Sequence, residues 1–343
     1  MALDHQDTDR PPLDLGGTNF TSLVWGAFQN LSHNLDTDKE CVFYSEISRT
    51  CILPEPLLKM FDIDFRVVTW RKSDSVSGNY YYEIHTHPLA KATNEEEITE
   101  YSWPDFTPAA IYEGVKERAG KLGKSDYSII GTYAMNSLFG LLWILRGMEQ
   151  FLMDLALKPD FAYLLIETVF AVQKQKMVRF LEQAGDFLDV FCLCGDLGTQ
   201  QSLLISPEMF RTHLKPFYKD IIGTARNYTK AKLFYHSCGN IIDLLEDFIE
   251  CGIDIINPVQ VSAVGMNPHL MKKRYGDKIV FWGGIDSQDV LPNGSEQDVR
   301  EEVRLRIEQM SENGGYVVAP VHNIQYDVPP QNIAALYNEA VTR

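Results

Sequence analysis

Short apolar runs, four or five residues long, recur along the chain, and most are followed by stretches in which apolar residues return every three or four positions. The first pattern suits strands buried on both faces, and the second suits helices with one buried face. Strands are predicted at Pro12–Leu15, Phe65–Thr69, Tyr127–Gly131, Asp189–Leu193, Ala231–Tyr235, Ile253–Asn257, Ile279–Trp282 and Tyr316–Ala319. The helices between them have readable ends. Ser206-Pro207-Glu208 supplies a cap, a first-turn proline and an acid. Asn240 to Glu250 places Ile241, Leu244, Leu245 and Phe248 on one face and stops at Gly252. Asn293 to Met310 ends near Gly314-Gly315.

Strand and helix alternating through eight strands predict an α/β fold, a (β/α)8 TIM-like barrel. The pattern breaks after the second strand, at about 70–105. There Tyr80-Tyr81-Tyr82-Glu83-Ile84 reads as a hairpin strand and Thr93-Asn94-Glu95 as an acidic helix start. A doubly wound sheet is the alternative. Although 343 residues would ordinarily suggest two domains, α/β barrels run this long as single units, so one domain is expected over 1–343, with a polar tail at 1–11.

Composition changes the picture in what it excludes. Apolar residues at 45% and charged residues at 23% are a globular balance, and a net charge of −16 repels phosphate backbones and anionic lipid. No nucleic-acid or membrane partner is expected. The six cysteines, at 41, 51, 192, 194, 238 and 251, are too sparse for a disulfide framework. No apolar leader segment or membrane-length run is seen, so a cytoplasmic, reducing setting is expected.

In a barrel, chemistry is built from the residues just past the end of each strand. Here those are Gly16-Gly17-Thr18-Asn19, Trp70-Arg71, Thr132-Tyr133, Cys194-Gly195-Asp196, His236-Ser237-Cys238-Gly239, Pro258-Val259-Gln260, Gly283-Gly284-Ile285-Asp286 and Val321-His322-Asn323. His236 and Cys238 are the sharpest pair. Imidazole plus thiolate suits Zn²⁺, and a strand breaking into a glycine can turn both toward one point. The alternative is a packed histidine beside an inert cysteine. His322 could complete the ligand set or position substrate without metal; Gln260 and Cys194 are further ligand candidates. Asp196 could serve as a base or a hydrogen-bond anchor. His85-x-His87 in the insertion reads as packing, Cys192 as core filling, and the aromatics, Trp70 and Tyr133 among them, as core or as an apolar pocket wall.

The chain resembles the uroporphyrinogen decarboxylase superfamily over nearly its whole length. The resemblance is carried by Pro12-Leu13-Asp14-Leu15-Gly16-Gly17, Asp64-Phe65-Arg66, His87-Pro88-Leu89, Tyr101-Ser102-Trp103-Pro104-Asp105, Gly195-Asp196-Leu197-Gly198-Thr199-Gln200, His236-Ser237-Cys238-Gly239, Asn257-Pro258-Val259-Gln260, Trp282-Gly283-Gly284-Ile285-Asp286 and Pro320-Val321-His322-Asn323-Ile324. It implies a barrel with its pocket at the C-terminal mouth. True decarboxylases of the superfamily carry arginines on the first strand and an aspartate after the second. This chain has Leu15-Gly16-Gly17-Thr18-Asn19 and Thr69-Trp70 at those places. It is closer to the cobalamin-linked methyltransferase branch, in which the His-x-Cys motif, here His236 and Cys238, binds zinc. A further cysteine usually completes that set; His322 stands there instead.

The resemblance therefore implies a zinc-dependent methyltransferase. It would move a methyl group between a small methylated substrate or thiol and a corrinoid (methylcobalamin) supplied by a partner protein. The metal set would be His236, Cys238 and His322, and the catalytic pair Asp196 and His322. Gln260, Asn19, Trp70, Tyr133, Gln200 and Asp286 would face the substrate. The runner-up is a metal-free decarboxylase or lyase on a smaller carboxylate, with Arg66, Arg71 and His322 holding the anion. A corrinoid-carrier module is a third reading, but the chain lacks an Asp-x-His-x-x-Gly segment. A homodimer through helix surfaces is compatible with the fold.

Overall fold

The computed structural model describes residues 1–37, 40–45, 48–70, 86–132 and 137–342. The predicted hairpin at 80–84, and His85, Arg71 and Tyr133, lie outside the described residues.

A small antiparallel pair comes first, β1 (Val42–Ser45) and β2 (Thr50–Ile52). Seven strands then form one parallel sheet in sequence order: β3 (Phe65–Thr69), β4 (Ser128–Thr132), β5 (Val190–Cys194), β6 (Lys232–His236), β7 (Ile255–Asn257), β8 (Val280–Trp282) and β9 (Tyr316–Val317). Seven of the eight predicted strands are recovered within a residue or two, because runs such as Val190-Phe191-Cys192-Leu193-Cys194 are buried on both faces.

The sheet curls. One set of alternating side chains, including Phe65, Ile130, Val190, Phe234, Val280 and Trp282, packs together as a separate inner cluster. Each such side chain is worth roughly 1.5–3 kcal/mol on burial. The outer face packs under the helices, the longest being Pro159–Ala184. The first predicted strand is reduced to one bridge, Leu13 to Val318, parallel. Even so, this segment bonds to both edges of the sheet. Asp14 N–H donates to Val318 O at 3.0 Å, and Asp64 N–H donates to Leu13 O at 3.1 Å.

Residues 1–11 are docked rather than trailing. Ala2–Asp4 form a helical turn, Leu3 packs on the inner cluster, and Arg10 pairs with Asp62 and Asp64 at 2.8 and 2.7 Å. In place of one helix from Asn240, the chain makes a tight turn, Ile242–Leu244, and then the helix Leu245–Cys251, ended by Gly252 at φ 95°. The predicted helix from Asn293 starts at Glu296. Ser295 and Asp298 there form a reciprocal capping box. Ser295→Ala is expected to cost about 1 kcal/mol in chemical denaturation; an unchanged midpoint would mean the cap is energetically idle.

Among the described residues, no helix is long and apolar enough to cross a membrane.

Candidate metal centre

His236 is the last residue of β6, and Cys238 comes where the strand breaks. His322 arrives from the far side of the curl, beyond β9. One ligand atom from each of the three lies within 4.8 Å of the others. Among the described residues, this is the only group of three or more His, Cys, Asp or Glu side chains so arranged.

The orientation of each imidazole is set by its neighbours. Asn257, at the end of β7, donates its amide nitrogen to Trp282 O at 3.2 Å, so its Oδ1 must face His236 Nδ1, at 2.6 Å. Nδ1 therefore carries the proton, and the Nε2 lone pair points into the cluster. His322 repeats the arrangement. Its Nδ1 lies 2.9 Å from Asn323 Oδ1, an oxygen that also accepts from Gln325 Nε2. Outer-shell hydrogen bonds of this kind orient histidine ligands in metal sites.

Cys238 Sγ lies 3.4 Å from His236 Nε2. Asp196 Oδ1 accepts the Cys238 backbone N–H at 2.8 Å and sits 3.7 Å from the same Nε2. Lone pairs from nitrogen, sulfur and a carboxylate thus converge on one point, and the thiol hydrogen is the proton available between Sγ and Nε2. Burial pushes the His236 pKa down to about 4 and lowers that of His322 as well, so both imidazoles are held neutral. Burial, with Asp196 beside it, pushes the Cys238 thiol up. A borderline-soft cation accepting two imidazoles and a thiolate, with a coordination position left open, is what this donor set suits.

The backbone around Cys238 is closely packed. Gly239 has φ +85°, and a Cβ there would fall 2.5 Å from Gly198 C and Thr199 O. Only glycine lets the two loops meet. Gln260 Oε1 takes the Gly239 N–H at 2.6 Å, so Gln260 braces this turn, with its oxygen engaged. The loop bearing Asp196 is fixed by Tyr235, whose hydroxyl donates to Gly195 O at 2.7 Å and accepts from Tyr218 at 2.7 Å. Phe20 covers His236 in parallel stacking, with ring centroids 3.5 Å apart and 6° between planes. It also tilts against His322 at 6.1 Å. Phe20 is held by its loop: the buried Asp14 accepts Gly17 N–H at 2.8 Å and Trp282 Nε1–H at 2.9 Å.

The other sequence candidates occupy different places. Asn19 lies in the Phe20 loop and accepts from Thr50 Oγ1. Gln200 donates to Gln288 Oε1 at 3.0 Å. Asp286 accepts from the backbone N–H groups of Gln288 and Asp289, as a turn cap. Trp70 is 2% exposed, packed on Phe106 and Tyr112 with the Lys176 ammonium 4.5 Å above its ring. Cys192 is buried in the inner cluster, and Cys194 is buried at the end of β5. His87 Nδ1 contacts Ile144 O at 2.6 Å.

Arg66, the candidate anion holder, is spent elsewhere. It pairs with Glu55 at 2.7 Å, donates to the carbonyls of Ile63 and Phe65, and lies on the Tyr127 ring near the N-terminal end of β3. That is the opposite end of the sheet from His236. Sequence reasoning misses Phe20 and the outer role of Asn257. It misses the buried Lys176 too, whose pKa burial lowers to about 7. No spacing rule signals any of the three, since each depends on contacts remote in the chain.

A family model described as uroporphyrinogen decarboxylase (URO-D) matches residues 89–342. The chain belongs to the uroporphyrinogen decarboxylase family. The matched part carries Asp196, His236, Cys238, Gln260, Asp286 and His322. Among solved structures, a methyltransferase from Methanosarcina mazei is similar at TM-score 0.69 and 16% identity, covering 99% of this chain and 96% of its own. Xylanase 10B from Thermotoga maritima is similar at TM-score 0.42 and 9% identity, covering 84% of this chain and 99% of its own. A GH113 β-1,4-mannanase has the same score and identity, covering 97% and 99%. No curated protein matches the sequence.

Proposed function

We propose that this family member is a zinc-dependent methyltransferase. It would move a methyl group between a small methylated substrate or thiol and a corrinoid carried by a partner protein. In the same reading the curled sheet is a (β/α)8 barrel, with the Leu13 segment as its first strand. One observation carries the functional reading: His236 Nε2, Cys238 Sγ and His322 converge within 4.8 Å, with both imidazoles turned by asparagine oxygens. The fold shared with the Methanosarcina mazei methyltransferase supports it.

His236, Cys238 and His322 would hold the metal. Zinc bound there supplies a Lewis acid that favours thiolate over thiol and keeps a position open for a substrate heteroatom. The chain's own groups do the rest. Asn257 and Asn323 fix the two imidazoles, so little rearrangement is needed on binding. Asp196, with one oxygen on the Cys238 N–H, stands where it can orient a substrate donor or take its proton. Phe20 screens one face of His236 from water. The displacement of Arg66 to the other end of the sheet weakens the carboxylate reading.

The test is methyl transfer from methylcobalamin to a panel of low-molecular-weight thiols by zinc-loaded protein, monitored by the corrinoid absorbance change. Turnover that disappears with a chelator and returns with zinc is expected. Release of carbon dioxide from a carboxylate by metal-free protein, with no methyl transfer, would replace this reading with the decarboxylase one.

A further inference from the structure

Cys41 and Cys51 lie on the β1–β2 hairpin, outside everything assigned above. Phe43 pairs with Cys51 and Val42 with Ile52. By strand alternation Cys41 shares a face with Phe43, which makes it the diagonal neighbour of Cys51. The two thiols are in hydrogen-bond contact. Cys41 is half-buried and reachable, whereas Cys51 is buried. The Arg49 guanidinium stands nearby, 5.5 Å over the Phe43 ring and 6.0 Å over Trp25, and its charge acts on Cys51 in the direction of thiolate, the smallest of the influences there. The hydrogen bond to Cys41 and then burial push the Cys51 thiol up, and Cys41 is the sulfur that a small disulfide can reach, which makes it the attacking one.

The hairpin is wired to the Phe20 loop. Cys51 N–H donates to Leu23 O at 2.8 Å, Ser22 Oγ donates to Cys51 O, Thr50 Oγ1 donates to Asn19 Oδ1, and Thr50 bridges Val24. Whatever moves β2 therefore moves the segment that lays Phe20 on His236.

We propose that Cys41 and Cys51 are a reversible thiol–disulfide site that reacts with low-molecular-weight disulfides. Cys41 thiolate attacks one sulfur of the small disulfide, expelling one thiolate and leaving a mixed disulfide. Cys51 then gives up its proton and attacks the Cys41 sulfur, expelling the second. Two protein thiols become one disulfide, and the small disulfide is reduced to two thiols. Diagonal strand neighbours stand farther apart than an unstrained disulfide prefers, so closure draws the strands together and the bond is easily reopened. Such a bond is a switch and not a staple. This inference does not depend on the methyl-transfer reading.

The experiment treats the zinc-loaded full chain with excess bis(2-hydroxyethyl) disulfide, quenches with acid, and counts thiols after denaturation in chelator. Free thiols are expected to fall from the six of the sequence to four, and to return with dithiothreitol. Trypsin cuts after Lys39, Arg49 and Lys59, so the product appears as Glu40–Arg49 joined to Thr50–Lys59, two hydrogens lighter than the separate peptides. Cys41→Ser, at a half-buried position where folding is spared, should abolish that cross-linked pair. An unchanged count in the wild type, a mixed adduct that never resolves, or a disulfide mapping to other cysteines would each overturn the proposal.

Discussion

Cys238→Ser is expected to strip the protein of zinc and to reduce methyl transfer to the background of the buffer. Serine keeps the shape of the turn but replaces a soft, readily ionised ligand by a hydroxyl that a zinc ion does not deprotonate as easily. The backbone N–H of residue 238 would still reach Asp196, and Gly239 would still meet Gln260, so the loop should survive. The loss in affinity should exceed the ~10–100-fold expected on removal of an outer-shell partner. Chelator competition with thermal unfolding in parallel separates metal loss from misfolding. A variant that melts like the wild type yet holds zinc equally well would show that Cys238 is not a ligand.

Asn257→Leu should weaken zinc binding by ~10–100-fold although every ligand is still present. Leucine fills similar space but removes the oxygen that holds the proton on His236 Nδ1. The imidazole can then take the other tautomer, which blocks Nε2, or rotate under Phe20. The same change removes one of two donors to Trp282 O, which keeps the Val259 N–H at 3.2 Å, so only a modest part of the stability should be lost as well. Asn257→Asp supplies an acceptor to Nδ1 and is expected to restore much of the affinity. If Leu and Asp behave alike, the hydrogen bond is not what orients His236.

Much of this arrangement is legible in the sequence because it is local. Phe65–Thr69 is legible to the residue, since a run of apolar and β-branched residues ending in a turn leaves little choice. His236 and Cys238 stand out because the strand, its end and the next glycine are contiguous. The hidden part depends on closure of the curl. Pro12–Leu15 reads as a strand but makes a single bridge, because it turns almost at once into the loop fixed by Asp14. Asn257 reads only as part of a family segment; β7 and β8 are what place it between His236 and Trp282. The β1–β2 hairpin leaves no clear signal because strands of four and three residues carry too little periodicity. Arg66 suits an anion by residue type, while its position in β3 sends it to Glu55.

The most direct test is the metal content of protein purified without chelator or polyhistidine tag, beside Cys238→Ser and His236→Ala. The account predicts about one zinc per chain in the wild type and none in either variant. A folded wild type that takes up no zinc even on reconstitution would contradict it.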